Sequence, residues 1–174
     1  MNAKLVISAI APNQPGMVHK ITELIAQSGA SILQCRMSAM AKEFAVIMEV
    51  GGEWNAIAKL EHLLPSKAQS LNLITMFKRS ETELRDNDTQ LCKVSISTPE
   101  SIGIVNELTQ YFTQLGVNIE EMDCRTFSTL ESSELEGEIK LFISVPGNIS
   151  VDNIRQKFEH FCSEKQLKAT IVSL

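Results

Sequence analysis

The stretch "APNQPGMVHKITELIAQSGASI", residues 11–32, recurs in outline as "TPESIGIVNELTQYFTQLGVNI", residues 98–119. When residues 8–32 are set over residues 95–119, identities recur at a constant offset of 87 positions. The identical pairs are Ser8/Ser95, Pro12/Pro99, Gly16/Gly103, Val18/Val105, Thr22/Thr109, Gln27/Gln114, Gly29/Gly116 and Ile32/Ile119. A repeat of this length predicts two copies of one structural unit.

The first copy has the hydrophobic periodicity of six elements. They follow the order strand, helix, strand, strand, helix, strand, and we place them at 3–11, 15–28, 31–40, 43–50, 54–64 and 71–79. Gly29 is expected to end the first helix. Asn55 is a candidate N-cap of the second helix, and Pro65 is expected to follow its end. The order βαββαβ predicts an α+β, ferredoxin-like fold with an antiparallel sheet and helices on one face.

The second copy repeats these signals. Strands are predicted at 92–98, 119–128, 138–145 and 167–174, with helices over 102–115 and after Ser150. Aligning Val50 with Val145 makes the second hairpin eight residues longer, with the extra residues in the acidic stretch 129–138, which favours a solvated loop over a partner-contact finger. Residues 81–90 are polar and without periodicity, so the predicted organisation is domain 1 at 1–80, a linker at 81–90 and domain 2 at 91–174.

The composition disfavours several classes of function. The formal net charge is −5 and the positive charges are scattered, whereas DNA-binding proteins usually present a basic face. No apolar run is long enough for a membrane span, and the N-terminal residues lack a signal-peptide pattern, so a cytoplasmic location is expected. No Ser–His–Asp set, HExxH motif or phosphate loop is visible, so the chain is not expected to be an enzyme or to need a cofactor.

The sulfur-containing side chains suggest structural roles. The four cysteines form no CxxC pair and no metal-ligand spacing, which predicts reduced, buried or half-buried thiols and no metal site. Met37, Met40, Met48 and Met76 are expected to fill the core. Trp54 could either cap the core or mark an exposed contact.

The sequence "NQPG", residues 13–16, joins the first strand to the first helix. Pro15 suits the first helical turn because its missing N–H would have no partner there. Gly16 lets backbone or ligand approach closely, and the N–H groups of a helix N-terminus attract a carboxylate. Asn13 offers both a donor and an acceptor. Together these features favour a small zwitterion, although the same residues are also common in plain turns.

These residues, in a βαββαβ unit, resemble the ACT domain, a regulatory module that binds amino acids. The full tandem, including "GGEWNAIAKLEHLLP" and "MFKRSE", resembles a family of bacterial repressors of the glycine cleavage operon. That resemblance implies contact with a LysR-type activator, relief of repression by glycine, and a homo-oligomer. It also implies that ligand lies where the strand-to-helix loop of one domain faces the start of the second strand of another.

The resemblance assigns ligand-binding roles by position. The first loop supplies Asn13, Gln14, Pro15, Gly16 and Met17, and Asn118 stands at the strand start of the second copy, where the first copy has Ser31. The second loop has Glu100 in place of Asn13 and retains Gly103. Since a carboxylate at Glu100 would repel a ligand carboxylate, the two sites are expected to be unequal. The alternative is a dimerisation or docking module with no ligand site in use.

Overall fold

The computed structural model describes residues 2–81, 88–99, 103–128 and 135–174. The elements are β1 (Asn2–Pro12), α1 (Met17–Gln27), β2 (Ser31–Met40), β3 (Glu43–Glu53), α2 (Trp54–Ser70), β4 (Ile74–Ser80), β5 (Thr89–Pro99), α3 (Ile104–Gln114), β6 (Asn118–Ser128), β7 (Leu135–Pro146), α4 (Val151–Glu164) and β8 (Lys168–Ser173). They form two compact units, Met1–Leu84 and Arg85–Leu174, called unit 1 and unit 2 below. The predicted βαββαβ order is confirmed in both.

The sheet of unit 1 has the strand order β2-β3-β1-β4, with antiparallel neighbours throughout. Alternate residues of the central strands, such as Leu5 and Ile7 on β1 and Val50 on β3, are almost fully buried. They pack against the apolar faces of α1 and α2, including Ile25 and Leu60. The core of unit 1 therefore lies between the sheet and its two helices, and the opposite face of the sheet is left open.

Unit 2 has the equivalent sheet order β6-β7-β5-β8. Its core contains an aromatic cluster that unit 1 lacks, in which Phe112 and Phe158 are fully buried and their ring centroids lie 5.3 Å apart. Tyr111 stacks on Phe161 at 4.6 Å beside them. The described core of unit 1 is mainly aliphatic and includes Phe44, so the two cores differ in how many aromatic rings they bury.

The first helix of each unit starts and ends at a glycine with positive φ. Gly16 (φ 84°) and Gly103 (φ 92°) precede α1 and α3, while Gly29 (φ 83°) and Gly116 (φ 68°) follow them. The prediction that Gly29 ends α1 is confirmed, since the Ala30 N–H bonds the Ile25 carbonyl oxygen in a Schellman pattern. The placement of Pro15 in the first helical turn is wrong, because α1 begins only at Met17.

Helix α2 departs from the prediction at both ends. Its N-cap is Glu53, and Asn55 lies inside the first turn, where its Oδ1 accepts a hydrogen bond from the Ala56 N–H at 2.9 Å. Pro65 does not end the helix, which continues to Ser70. Because Leu64 and Ala68 are both buried, packing on the sheet outweighs the backbone hydrogen bond that a proline removes.

The strand register corrects the predicted length of the second hairpin. Leu5 pairs with Val50 in unit 1, and its counterpart Cys92 pairs with Ile143 in unit 2. Val50 therefore corresponds to Ile143 and not to Val145, so the second hairpin is longer by six residues instead of eight. Apolar alternation with a period of two repeats, so it cannot distinguish a match at Ile143 from one at Val145. Of the predicted insertion, residues 129–134 lie outside the described residues, and the remainder belongs to β7.

Three further predictions concern the linker, the cysteines and the methionines. β5 begins at Thr89, so the last two residues of the predicted linker are in a strand, and residues 82–87 lie outside the described residues. Cys92 and Cys162 are buried as expected, but Cys35 and Cys124 are exposed. Of the four methionines assigned to the core, only Met48 is buried. The others, Met37, Met40 and Met76, are more than half exposed because they lie on an edge strand or on the open face.

Candidate ligand-binding loops and strand starts

The loop between β1 and α1 is an exposed turn held beside the next hairpin of the same unit. The backbone N–H of Asn13 donates to the carbonyl oxygen of Lys42 at 2.9 Å, which fixes the loop against the β2–β3 turn. The side chains of Asn13 and Gln14 point into solvent. An ideal Cβ built on Gly16 would meet nothing within 4 Å, so the space around this glycine is open. The loop therefore presents backbone and amide groups on an accessible surface.

The start of α1 has donors available for an anion. The Met17 N–H donates to the Gln14 carbonyl oxygen at 3.2 Å, and the Lys20 N–H donates to that of Gly16 at 3.0 Å. Between them, the backbone N–H groups of Val18 and His19 have no acceptor among the described residues. The first turn of α1 also carries no acidic side chain. These N–H groups and the positive end of the helix dipole can hold a carboxylate.

Met17 plays a different part from its neighbours in the loop. Its side chain is only 6% exposed and belongs to the core of unit 1. It therefore anchors the start of α1 to the core of unit 1, and does not line the accessible face of the loop. Asn13, Gln14, Pro15 and Gly16 remain exposed, so the structure separates these four residues from the fifth predicted one.

The corresponding loop of unit 2 is electrostatically different. Glu100 lies outside the described residues, but Gly103 keeps the left-handed conformation of Gly16. The first turn of α3 contains Glu107, whose carboxylate bonds the Lys165 ammonium at 2.7 Å beside a cavity of about 230 Å³. An acidic group in the first turn already complements the helix dipole, which makes this end a poorer site for a second carboxylate than α1.

The strand starts lie far from the loops of their own units. Ser31 pairs with Gly51 in the row of Lys4, whereas the β1–α1 loop follows Pro12 at the other end of the sheet. Eight residues of extended strand separate those rows, or about 27 Å. Asn118 lies at the corresponding end of unit 2, opposite Ser144. Within a single unit, the loop and the strand start cannot contact one small ligand.

The start of β6 carries a polar cluster that sequence reasoning missed. A Glu120 carboxylate oxygen accepts hydrogen bonds from the Asn118 amide at 2.9 Å and from the Ser144 hydroxyl at 2.7 Å. The strand register shifts between Ile119 and Glu121, so simple alternation of side chains does not hold at Glu120. Only the sequence "GVNIE" hinted at a polar strand start, and its geometry depends on that irregularity.

The start of β2 is apolar at the equivalent place. The same register irregularity occurs between Ile32 and Gln34, and it brings the Leu33 side chain onto Gly51. By register, Leu33 and Gly51 correspond to Glu120 and Ser144 of unit 2. Each unit thus has one of the two features: unit 1 has the better carboxylate-binding loop, and unit 2 has the polar strand start.

A separate surface cluster resolves the position of Trp54. The indole is 58% exposed, with the Arg79 guanidinium 5.5 Å from its ring centroid. Arg79 also donates two hydrogen bonds to the Glu61 carboxylate, at 2.9 and 2.8 Å. The hydrogen bonds from Arg79 lower the pKa of Glu61 against a smaller opposing effect of burial. Trp54 is therefore an exposed contact residue and not a cap on the core.

The described ranges contain neither a metal-binding cluster nor a membrane-spanning helix. Residues 2–81, 88–99, 103–128 and 135–174 contain no group of three or more His, Cys, Asp or Glu side chains placed to hold a metal ion. Within the same ranges, no helix has the length and apolar character needed to cross a membrane.

Comparison with known proteins relates unit 1 to one domain family. The family model of the ACT domain matches residues 3–78, which is nearly all the described part of unit 1. Unit 2 has the same element order and sheet topology. Unit 1 is thus similar to the ACT domain, and unit 2 repeats its architecture.

Nearly the full length of the chain is similar to named transcriptional repressors. It is 29% identical over 167 residues to the glycine cleavage system transcriptional repressor of Escherichia coli K12, covering 96% of this chain and 88% of the relative. The repressor of the same name from Shigella flexneri matches equally well. These relatives and the ACT domain together support a regulatory role.

Two solved structures share the fold over the entire chain. One is a crystal structure assigned as a glycine cleavage system transcriptional repressor, with a TM-score of 0.74, 22% identity, and coverage of 100% of this chain and 98% of the other. The second is a protein of unknown function from Galdieria sulphuraria, with a TM-score of 0.80, 18% identity, and coverage of 100% and 99%. At these identities the likeness concerns the fold alone.

Proposed function

We propose that this chain represses the glycine cleavage operon by contacting a LysR-type activator, and that glycine binding relieves the repression. Its near full-length similarity to named repressors of the glycine cleavage system carries this proposal. The net charge of −5 favours action through a protein partner over direct binding to DNA. The proposal includes a cytoplasmic location, a homo-oligomer, and regulation without catalysis or a cofactor.

The glycine-binding residues that we propose come from two different units, as the resemblance to ACT domains implies. The exposed loop Asn13–Gly16 and the N–H groups of Val18 and His19 would hold the glycine carboxylate. Asn118, with the Glu120 carboxylate beside it, would face the ammonium group. The opposite combination, the Gly103 loop with Ser31 and Leu33, brings an acidic first helical turn to an apolar strand start. We therefore expect one competent site for each pair of units.

Calorimetric titration of the purified chain with glycine tests the ligand proposal, with serine and alanine as competing amino acids. We expect saturable binding of glycine at one site per chain. Asn13→Ala and Asn118→Ala should each weaken it, whereas Ser31→Ala, at the position equivalent to Asn118 in unit 1, should not. If the two asparagine variants bind glycine as tightly as the parent, the assignment of these residues is wrong.

The proposed partner requires a separate experiment. The chain and a purified LysR-type activator of the glycine cleavage operon can be mixed on operator DNA and followed by mobility shift. We expect no shift from the chain alone, a further shift of the activator–DNA complex when the chain is added, and reversal by glycine. A shift of naked DNA by the chain alone would contradict regulation through the activator.

A second candidate function is a docking module that uses no ligand. It is favoured by the Asn118 amide, which already donates to Glu120, and by the openness of the loop around Gly16. The two functions differ in thermal stability, because a ligand that binds only the native state raises apparent stability by RT ln(1 + [L]/Kd). A melting temperature that rises with glycine supports the sensor, and one that is unchanged while the activator still binds supports the docking module.

A further inference from the structure

The open face of unit 1 is the side of its sheet that points away from α1 and α2. By strand alternation it carries the even-numbered residues of β1 and β4 and the odd-numbered residues of β3. Its large apolar side chains are unusually exposed for a globular domain: Ile10 is 45%, Ile47 51%, Ile74 72% and Met76 73% exposed. Met40, at the adjacent corner on β2, is 64% exposed.

The register shows that these side chains form one continuous patch. Ile10 lies directly opposite Ile74, and in the next row Ser8 lies between Ile47 and Met76. Directly opposed residues in an antiparallel pair have Cβ atoms about 5 Å apart, and diagonal neighbours remain within reach of long side chains. The patch therefore spans three strands without an intervening charge. Its charged border lies one row further, where Glu49 and Lys78 flank Val6, and on the β2 side, where Arg36 lies opposite Ile47 and Glu43 lies opposite Met40.

The equivalent positions on the open face of unit 2 are polar, although the fold is the same; the exposed apolar side chains of that face, Leu91, Phe127 and Val172, lie at other positions. The counterparts by register of Ile10, Ile47, Ile74 and Met76 are Ser97, Lys140, Lys168 and Thr170. Lys140 forms an ion pair with Glu138 on that face at 2.9 Å. Building this fold requires an apolar face only toward the helices, so the fold does not account for the apolar character of the open face of unit 1. Exposed patches of this kind usually mark interaction surfaces.

We propose that the open faces of unit 1 from two copies of this chain pack against each other around a two-fold axis. The five exposed apolar side chains present on the order of 600 Å² of accessible surface, and a standard interface takes about 800 Å² from each partner. Ser8 and Ala45, which lie among them, and Val6 in the border row add to this area. Two sheets can pack face to face with their strands inclined by about 30°, at a spacing of about 10 Å.

A second copy suits this face because the patch is self-complementary. In a two-fold interface the same surface occurs on both sides, so an uncharged centre meets an uncharged centre. The border row carries both signs, Glu49 and Lys78, so it can face its own copy without a net clash of like charges. This contact does not depend on glycine binding.

Sedimentation analysis of the full chain over a range of concentrations tests this interface. We expect the parent to dimerise and Met76→Lys to raise the dimer dissociation constant at least a hundredfold, since the substitution acts twice in a two-fold interface. Met37→Lys is the matched control, because Met37 is similarly exposed, at 54%, but on the helix side of edge strand β2. Thr170→Lys places the same change on the open face of unit 2. Both controls should dimerise like the parent.

Other results would overturn the proposal. A parent that is monomeric at its highest soluble concentration rules out this dimer. Dissociation by Met37→Lys but not by Met76→Lys would place the contact at the edge strand β2. Loss of dimer in Thr170→Lys alone would place it on unit 2. Circular dichroism of each variant shows that the fold is retained, and Met76→Leu, which keeps the apolar volume, should dimerise normally.

Discussion

Replacing Gly16 by alanine should destabilise unit 1 by about 1 kcal/mol, although the added methyl group would not collide with any neighbouring residue. Gly16 has φ 84°, and a Cβ added there would meet no atom within 4 Å, so the cost is confined to the backbone conformation. A left-handed conformation costs a residue with a Cβ about 1–2 kcal/mol. Alanine also has fewer conformations than glycine in the unfolded chain, which stabilises the folded state by roughly 0.4–1 kcal/mol and offsets part of that cost. The net effect is therefore about 1 kcal/mol.

Urea denaturation measures this difference, because a slope of about 1 kcal/mol per molar urea for a unit this small converts it to a midpoint shift of about 1 M. Gly103→Ala, with φ 92° and equally open space, should destabilise unit 2 by a similar amount. Gly16→Asn should recover much of the loss, since asparagine tolerates this conformation. Gly52→Ala measures a steric cost instead of a conformational one, because the added Cβ would lie 3.3 Å from the backbone atoms Ala30 Cα and Gly29 O. If Gly16→Ala left the midpoint unchanged, or cost as much as a buried cavity, this reasoning would be refuted.

Two pH-dependent predictions use the single tyrosine and the single tryptophan of the chain. Burial raises the pKa of Tyr111 to about 12, with a smaller contribution from the Cys162 thiolate. Tyrosinate absorbance should therefore appear at a pH well above the usual tyrosine pKa of 10. Because the folded-state pKa is raised, the stability that this group contributes is complete below pH 10 and is lost as the pH rises toward 12. A native-state midpoint at 10 would contradict the burial of the ring. The pKa of Glu61 is lowered by Arg79, so the stability from this pair is present above the ordinary carboxyl pKa of 4.5 and is lost as pH falls through the lowered value. Trp54 fluorescence should change with it at a midpoint below 4.5, and Glu61→Gln should remove that transition.

Much of the architecture could be predicted because the signals are local. The apolar spacing along α1, the glycine at its end and the alternation of β1 and β3 each depend on a few neighbouring residues. The repeat then doubled the evidence, since the same pattern occurs 87 positions later. Errors arose where packing outweighed a local rule. Pro65 lies within a helix because Leu64 and Ala68 are held against the sheet.

The candidate site was predicted only in part, because it depends on how elements meet. The loop Asn13–Gly16 could be found from its residue types, which mark a turn before a helix. Glu120 could not, because a register irregularity turns it toward Asn118 and Ser144. The core position of Met17 and the exposure of Met76 also depend on which face of an element the helices cover.

The sequence by itself determined that this chain contains two βαββαβ units, because hydrophobic period and turn residues are properties of the chain. Only the tertiary structure decided which strands are neighbours, in which register, and which face of each sheet stays open. Those features follow from the burial of one face against two helices, and no single stretch encodes that packing. The same packing leaves an apolar patch on unit 1 where the equivalent positions of unit 2 are polar, a difference that appears only when Ile74 and Lys168 are placed at the same point of the same fold.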